Sequence, residues 1–110
     1  MSDAVDGRIQ VPTSVKAGEA FPVRVVIRHP MESGLRFDND GKAVPQNTIR
    51  RFVARYDGRE IFTAQLGSGV GANPYLQFFV RATKSGDVVC EWVDDRGAAG
   101  MLKAMVTVTA

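Results

Sequence analysis

Few residues in this chain could do chemistry. It holds one histidine, His29, one cysteine, Cys90, and four methionines. A blue-copper site on a β scaffold takes two histidines and a cysteine, so a single histidine cannot complete it. Asp38-Asn39-Asp40-Gly41 looks like the middle of a calcium-binding loop. Aligned that way, its first ligand position is Arg36 and its last is Asn47, and neither is an acid. A turn at Asp40-Gly41 is the expectation. Gly67, Gly69 and Gly71 alternate between two strand-like stretches, with no helix N-terminus to receive a phosphate, and read as a mobile loop. Cys90 alternates with Val88 and Trp92, which predicts an inert core thiol. Composition allows a Ser-His-Asp set, but nothing presents a serine on a nucleophile elbow. The residues therefore predict no catalytic group, no metal and no cofactor, and His29 is expected to end a strand and hydrogen-bond nearby backbone.

The elements that position these residues are strands. At 110 residues the chain is one domain, residues 1–110, with enough length for a single core. Residues 1–7 are polar and acidic and are expected to be flexible. They lack the basic and apolar regions of a signal peptide, which taken alone points to the cytoplasm. A net charge of +2, with the basic residues scattered among acids, argues against nucleic acid as a partner. No apolar run approaches the ~20 residues of a membrane span.

Apolar residues recur at intervals of two rather than three and four, so no helix is predicted. Strands are expected near Arg8–Pro12, Ala20–His29, Thr48–Tyr56, Glu60–Leu66, Tyr75–Thr83, Val88–Trp92 and Gly100–Thr109. The first ends at proline and reads as an edge strand. Asp57-Gly58 is a hairpin turn signal. About seven strands with frequent turns predict an all-β, immunoglobulin-like sandwich. Cys90 and Trp92 fall where an antibody domain carries its second cysteine. Val25 stands at the position of the missing partner, so the two sheets are expected to hold by packing alone. Val26, Val53, Phe79, Met101 and Met105 fall on outward positions. Aligned on one sheet, they would mark a partner surface; otherwise the long loops would cover them.

The longest loop opens at His29-Pro30-Met31-Glu32-Ser33-Gly34, and this stretch closely resembles the His-Pro-Met-Glu-[Ser/Thr]-Gly segment of the SoxZ family. The resemblance continues through Arg36, Asp38, Gly41, Lys42, Pro45, Asn47 and Ile49. It resumes at Tyr56-Asp57-Gly58, at Ala72-Asn73-Pro74-Tyr75 with Phe78-Phe79, and at Trp92-Val93-Asp94-Asp95-Arg96-Gly97. The opening Arg8–Pro12 and Lys16–Glu19 fit as well, so it spans nearly the whole chain.

The resemblance implies a non-catalytic subunit of a periplasmic sulfur carrier complex. Its partner would be a SoxY-like subunit, whose C-terminal cysteine holds the intermediates of thiosulfate oxidation. It further implies transient docking to the other Sox enzymes and export without a signal of its own, folded and bound to the partner. Self-association through the patch around Phe79 is expected when the chain is alone. The partner-contact candidates are His29, Met31, Arg36, Asn73, Tyr75 and Phe79. Arg28, His29, Arg36 and Lys42 are candidates for steering an anionic sulfur adduct. The other readings are a stand-alone enzyme or metal protein on the same sandwich, and a SoxZ-like subunit of another carrier pathway.

Overall fold

The computed structural model describes residues 2–4 and 6–110, with side chains from Asp6 onward. Among these residues are nine strands and no helix: β1 Ser2–Ala4, β2 Gly7–Gln10, β3 Ser14–Lys16, β4 Ala20–Ile27, β5 Ile49–Tyr56, β6 Arg59–Ala64, β7 Tyr75–Arg81, β8 Gly86–Asp94 and β9 Ala99–Thr109. One sheet has the order β1-β2-β4-β7 and the other β3-β9-β8-β5-β6. The expected sandwich is present. Its seven predicted strands correspond to β2 and β4 to β9, and β1 and β3 are additional short pieces. Of residues 1–7, expected to be flexible, Met1 and Val5 lie outside the described residues. Ser2–Ala4 pair antiparallel with Gly7–Ile9.

That pairing corrects the expected edge strand. β2 lies between β1 and β4, because the chain doubles back at Gly7. Gly7 has φ +147°, and a Cβ there would sit 2.1 Å from the Val26 carbonyl oxygen. Only glycine can bring the backbone so close.

Period-two alternation does most of the construction. β4 buries Phe21, Val23, Val25 and Ile27, and β8 buries Val88, Cys90 and Trp92 between the sheets. Each fully buried side chain of this size removes enough apolar surface from water to contribute about 1.5–3 kcal/mol. Phe52 packs edge-on against Phe62 and Phe78 and stacks on Trp92. Phe62 of β6 and Phe78 of β7 stack with centroids 4.7 Å apart, joining the two sheets along one side. Trp92 lies opposite Gly100 on β9, and a Cβ at Gly100 would meet the indole ring at 2.4 Å. The missing side chain is thus the seat of the tryptophan. Asp57 and Gly58 both have positive φ, 51° and 78°, which is the hairpin turn expected between β5 and β6.

The outward apolar residues do not form one surface. Val26 and Phe79 belong to the first sheet, while Val53, Met101 and Met105 belong to the second. Val53 is also only 7% exposed, contrary to the expectation of an exposed face. Its strand is internal, flanked by β6 and β8.

Candidate functional site

At one end of the sandwich β4 runs out at Ile27, and the chain is gripped before it turns. The Ile27 N–H donates to the Pro74 carbonyl at 2.9 Å and the Arg28 N–H to the Asp6 carbonyl at 2.9 Å. The His29 N–H donates to Asn73 Oδ1 at 3.0 Å, and the Asn73 N–H returns a bond to the His29 carbonyl at 2.8 Å. Asn73 makes this exchange from a left-handed backbone, φ 53°, which asparagine tolerates better than most residues.

The His29 side chain then points inward and is 8% exposed. Its Nδ1 accepts the Met31 N–H at 3.0 Å. That nitrogen therefore carries no proton, and Nε2 is the one that donates, to Asp94 Oδ2 at 3.0 Å. Asp94 Oδ1 accepts the Arg96 N–H at 3.0 Å and the Ala98 N–H at 2.9 Å. Burial pushes the Asp94 carboxyl up, but bonds from His29, Ala98, Arg96 and the Asn47 side chain outweigh it and hold it below the usual carboxylate range. Asn47 Oδ1 is buried and has no partner of its own.

His29 follows a strand of one sheet and Asp94 ends a strand of the other. The sheets are thus joined by a buried polar pair as well as by packing, which corrects the expectation of packing alone. The pair was legible in principle. Asp94 continues the inward parity of Val88, Cys90 and Trp92, and an inward carboxylate needs a donor.

The long loop is built on this base. Met31 is buried with φ 49°, and its sulfur accepts the Ile49 N–H at 3.4 Å. Glu32 and Asn47 exchange two backbone bonds, both 2.9 Å. Asp95 Oδ2 accepts the Thr48 N–H at 2.8 Å and the Thr48 hydroxyl at 3.0 Å, which keeps the Asp95 carboxyl below its usual range. Beyond this root the loop is a small hairpin finger. Phe37 bridges to Ala43, and the Val44 N–H donates to the Arg36 carbonyl at 2.8 Å. At the tip Asp38 Oδ1 accepts the N–H groups of Asp40 and Lys42, both at 2.9 Å, and the Gly41 N–H closes the expected turn onto the Asp38 carbonyl at 3.0 Å. Arg36 grips Glu32 by two bonds of 2.7 and 3.1 Å, which holds the Glu32 carboxyl below its usual range. The finger leaves Leu35 83% and Phe37 67% exposed.

The partner-contact candidates divide accordingly. His29 and Met31 are buried, whereas Arg36, Asn73, Tyr75 and Phe79 are exposed. Asn73 is bonded to His29, and Tyr75 lies two residues on, opposite Val26. Phe79 is farther down β7, opposite Pro22, about 13 Å beyond Tyr75 at strand spacing. Sequence reasoning did not single out Leu35 or Phe37. Their signal was two large apolar residues, two positions apart, beside the polar run Asp38–Lys42.

The chemistry open to this site is limited. Both His29 nitrogens are engaged inside the protein, so the imidazole has no free lone pair for a substrate or metal. Cys90 is buried, and burial pushes its thiol up to about 12, far from the thiolate a nucleophile needs. Among the described residues no three His, Cys, Asp or Glu side chains gather where they could hold a metal ion. No helix among them is long and apolar enough to cross a membrane. What the site does offer is a rigid platform for an exposed apolar finger.

Solved structures share the architecture. The superoxide reductase (neelaredoxin) from Ignicoccus hospitalis superposes with a TM-score of 0.69 at 21% identity, over 94% of this chain and 80% of that one. A putative superoxide reductase from Thermotoga maritima gives 0.70 at 17% identity, over 94% and 86%. The sulfur carrier protein SoxY from Chlorobium limicola f thiosulfatophilum gives 0.67 at 13% identity, over 99% and 84%. At such identities these likenesses speak for the fold alone. No curated protein matches the sequence. Residues 9–104 match the family described as sulphur oxidation protein SoxZ. That span takes in the His29 grip, the finger and the Asp94 end of β8, and the chain belongs to the SoxZ family of sulfur-oxidation proteins.

Proposed function

We propose that this chain is a non-catalytic subunit of a sulfur carrier complex, pairing with a SoxY-like subunit whose cysteine holds the sulfur intermediates of thiosulfate oxidation. The observation that carries the reading is the finger. Leu35 and Phe37 are presented to solvent on a hairpin whose root is fixed by the Asp94–His29 bond and by Asp95 on Thr48. A protein that invests this much bonding in an exposed apolar tip gains a preorganised contact, since little ordering remains to be done on binding. Its one histidine and one cysteine are meanwhile committed to internal roles.

Arg36, Asn73 and Tyr75 flank the finger's root and extend the contact. Arg28 and Lys42 add positive potential toward an anionic sulfur adduct, while Arg36 is already matched by Glu32. On this reading the chain works in the periplasm, exported together with the partner, and is visited briefly by the other Sox enzymes. Alone, the chain is expected to self-associate weakly.

Co-expression with the SoxY-like subunit, followed by sizing, tests the reading. A one-to-one complex is expected. Leu35→Glu combined with Phe37→Glu should weaken it by about a hundredfold or more, the scale of central apolar anchors, with the melting temperature unchanged. A chain that stays apart from the SoxY-like subunit overturns the proposal.

A further inference from the structure

β7 is the last strand on its side of the sheet, and its one neighbour among the described strands is β4. Alternate residues of a strand direct their peptide groups to opposite sides. The bonds Ile27 N–H to Pro74 O and Ala82 N–H to Glu19 O show which set serves β4. Leu76, Phe78 and Val80 share that parity. Tyr75, Gln77, Phe79 and Arg81 therefore aim their N–H and C=O groups away from β4, at the open edge. Their side chains are exposed too, Tyr75 by 55% and Phe79 by 67%. The strand has no lysine, proline or bulge over residues 75–81, the devices that usually guard an open edge.

A cleft of about 500 Å³ lies at the Phe79–Arg81 end of this edge. Phe79 and Val80, which face opposite sides of the sheet, both line it, together with Ile61 of β6. Its rim is cationic: Arg59, Arg81 and Lys84. Asp57 is the one acid in the lining, and it is paired with Lys84 at 3.1 Å. Arg81 donates to the Gly18 carbonyl at 2.6 Å and has no carboxylate partner among the described residues.

We propose that the open edge of β7 and this cleft form a strand-docking site for an extended segment of a protein partner, one that alternates apolar and acidic residues. Backbone bonds would run to Tyr75, Gln77, Phe79 and Arg81. Apolar side chains would lie over Phe79 on the outer face, and carboxylates, on the face toward β6, would meet Arg59, as in recognition by strand addition. A second copy of this edge fits poorly, because Tyr75–Arg81 contains no acid to answer the rim. The site shares Tyr75 with the contact proposed above, but its cleft lies at the other end of β7 and its test does not depend on the carrier reading.

The test is a backbone-amide NMR titration of the full chain with a capped heptapeptide alternating valine and glutamate. A valine–lysine heptapeptide is the control. The amides of Tyr75, Gln77, Phe79 and Arg81 should shift, with the lysine peptide roughly tenfold weaker or worse. Gln77→Pro removes an outward donor without touching the β4 bonds, and Arg59→Glu removes rim charge. Each should weaken the glutamate peptide roughly tenfold, and Arg59→Glu should improve the lysine peptide. If Gln77→Pro does not fold, Arg59→Glu decides. Shifts elsewhere, equal binding of both peptides, or self-association through β7 that the glutamate peptide does not relieve would overturn the proposal.

Discussion

His29 and Asp94, 65 residues apart in sequence, meet through a 3.0 Å bond that ties the end of a strand in one sheet to the end of a strand in the other. Replacing His29 with alanine leaves a buried carboxylate short of a donor and a Met31 N–H short of an acceptor. The expected cost is about 2–3 kcal/mol, read as a lower urea midpoint at unchanged slope. His29→Ala with Asp94→Asn should show a coupling of about 1–3 kcal/mol in a double-mutant cycle. A coupling near zero would mean the two residues merely adjoin.

The same carboxylate sets an acid dependence. The folded Asp94 carboxyl lies below its ordinary value, and unfolding restores it to about 3.9. The unfolded chain therefore binds its proton first as pH falls. Asp94's contribution is fully present above about pH 4 and disappears as pH drops through the folded value. Unfolding followed from pH 7 to pH 3 should show the wild type losing its advantage over Asp94→Asn only at the acid end. Asp95 and Glu32 are lowered as well and act in the same direction.

Gly100 should be intolerant of even one methyl group. Its Cβ would meet the Trp92 ring at 2.4 Å. Gly100→Ala is expected to cost about 1–3 kcal/mol by overpacking. Trp92→Leu in the same chain should recover part of that loss, measurable as a melting temperature above that of the single Gly100→Ala variant.

Cys90 should report unfolding rather than reactivity. With its thiol buried and pushed up to about 12, iodoacetamide at neutral pH should label it only when the chain opens. Labelling should accelerate in His29→Ala roughly tenfold for each ~1.4 kcal/mol of lost stability. Rapid labelling of the wild type, followed by mass spectrometry, would contradict the core placement.

Much of the fold could be read from alternation, because Phe21, Val23, Val25 and Ile27 or Val88, Cys90 and Trp92 state their face directly. Val53 could not be placed so. Its parity is outward, but the strands flanking β5 shelter it, and strand order across a sheet is not written in any single strand. β1 was invisible for a related reason, since three residues carry no period. At the site, the sequence marked His29 but not its partner. Asp94 reads as a turn residue beside Asp95, Arg96 and Gly97 until β8 is known to extend through it. The finger was seen as a long loop; its rigidity comes from Asp38, Asp95 and the Glu32–Asn47 exchange, bonds that no local pattern announces.

The parallel pairing of Ser14–Lys16 with Thr107–Thr109 has a consequence for how the chain is made. A ribosome delivers β3 long before β9, its neighbour among the described strands. Until β9 emerges, β3 has no sheet to join, and β8 presents a raw edge where β9 will lie. The nascent chain is thus most prone to sticking in the interval before β9 emerges. A chain cut short before β9 would not be a smaller sandwich but an open one.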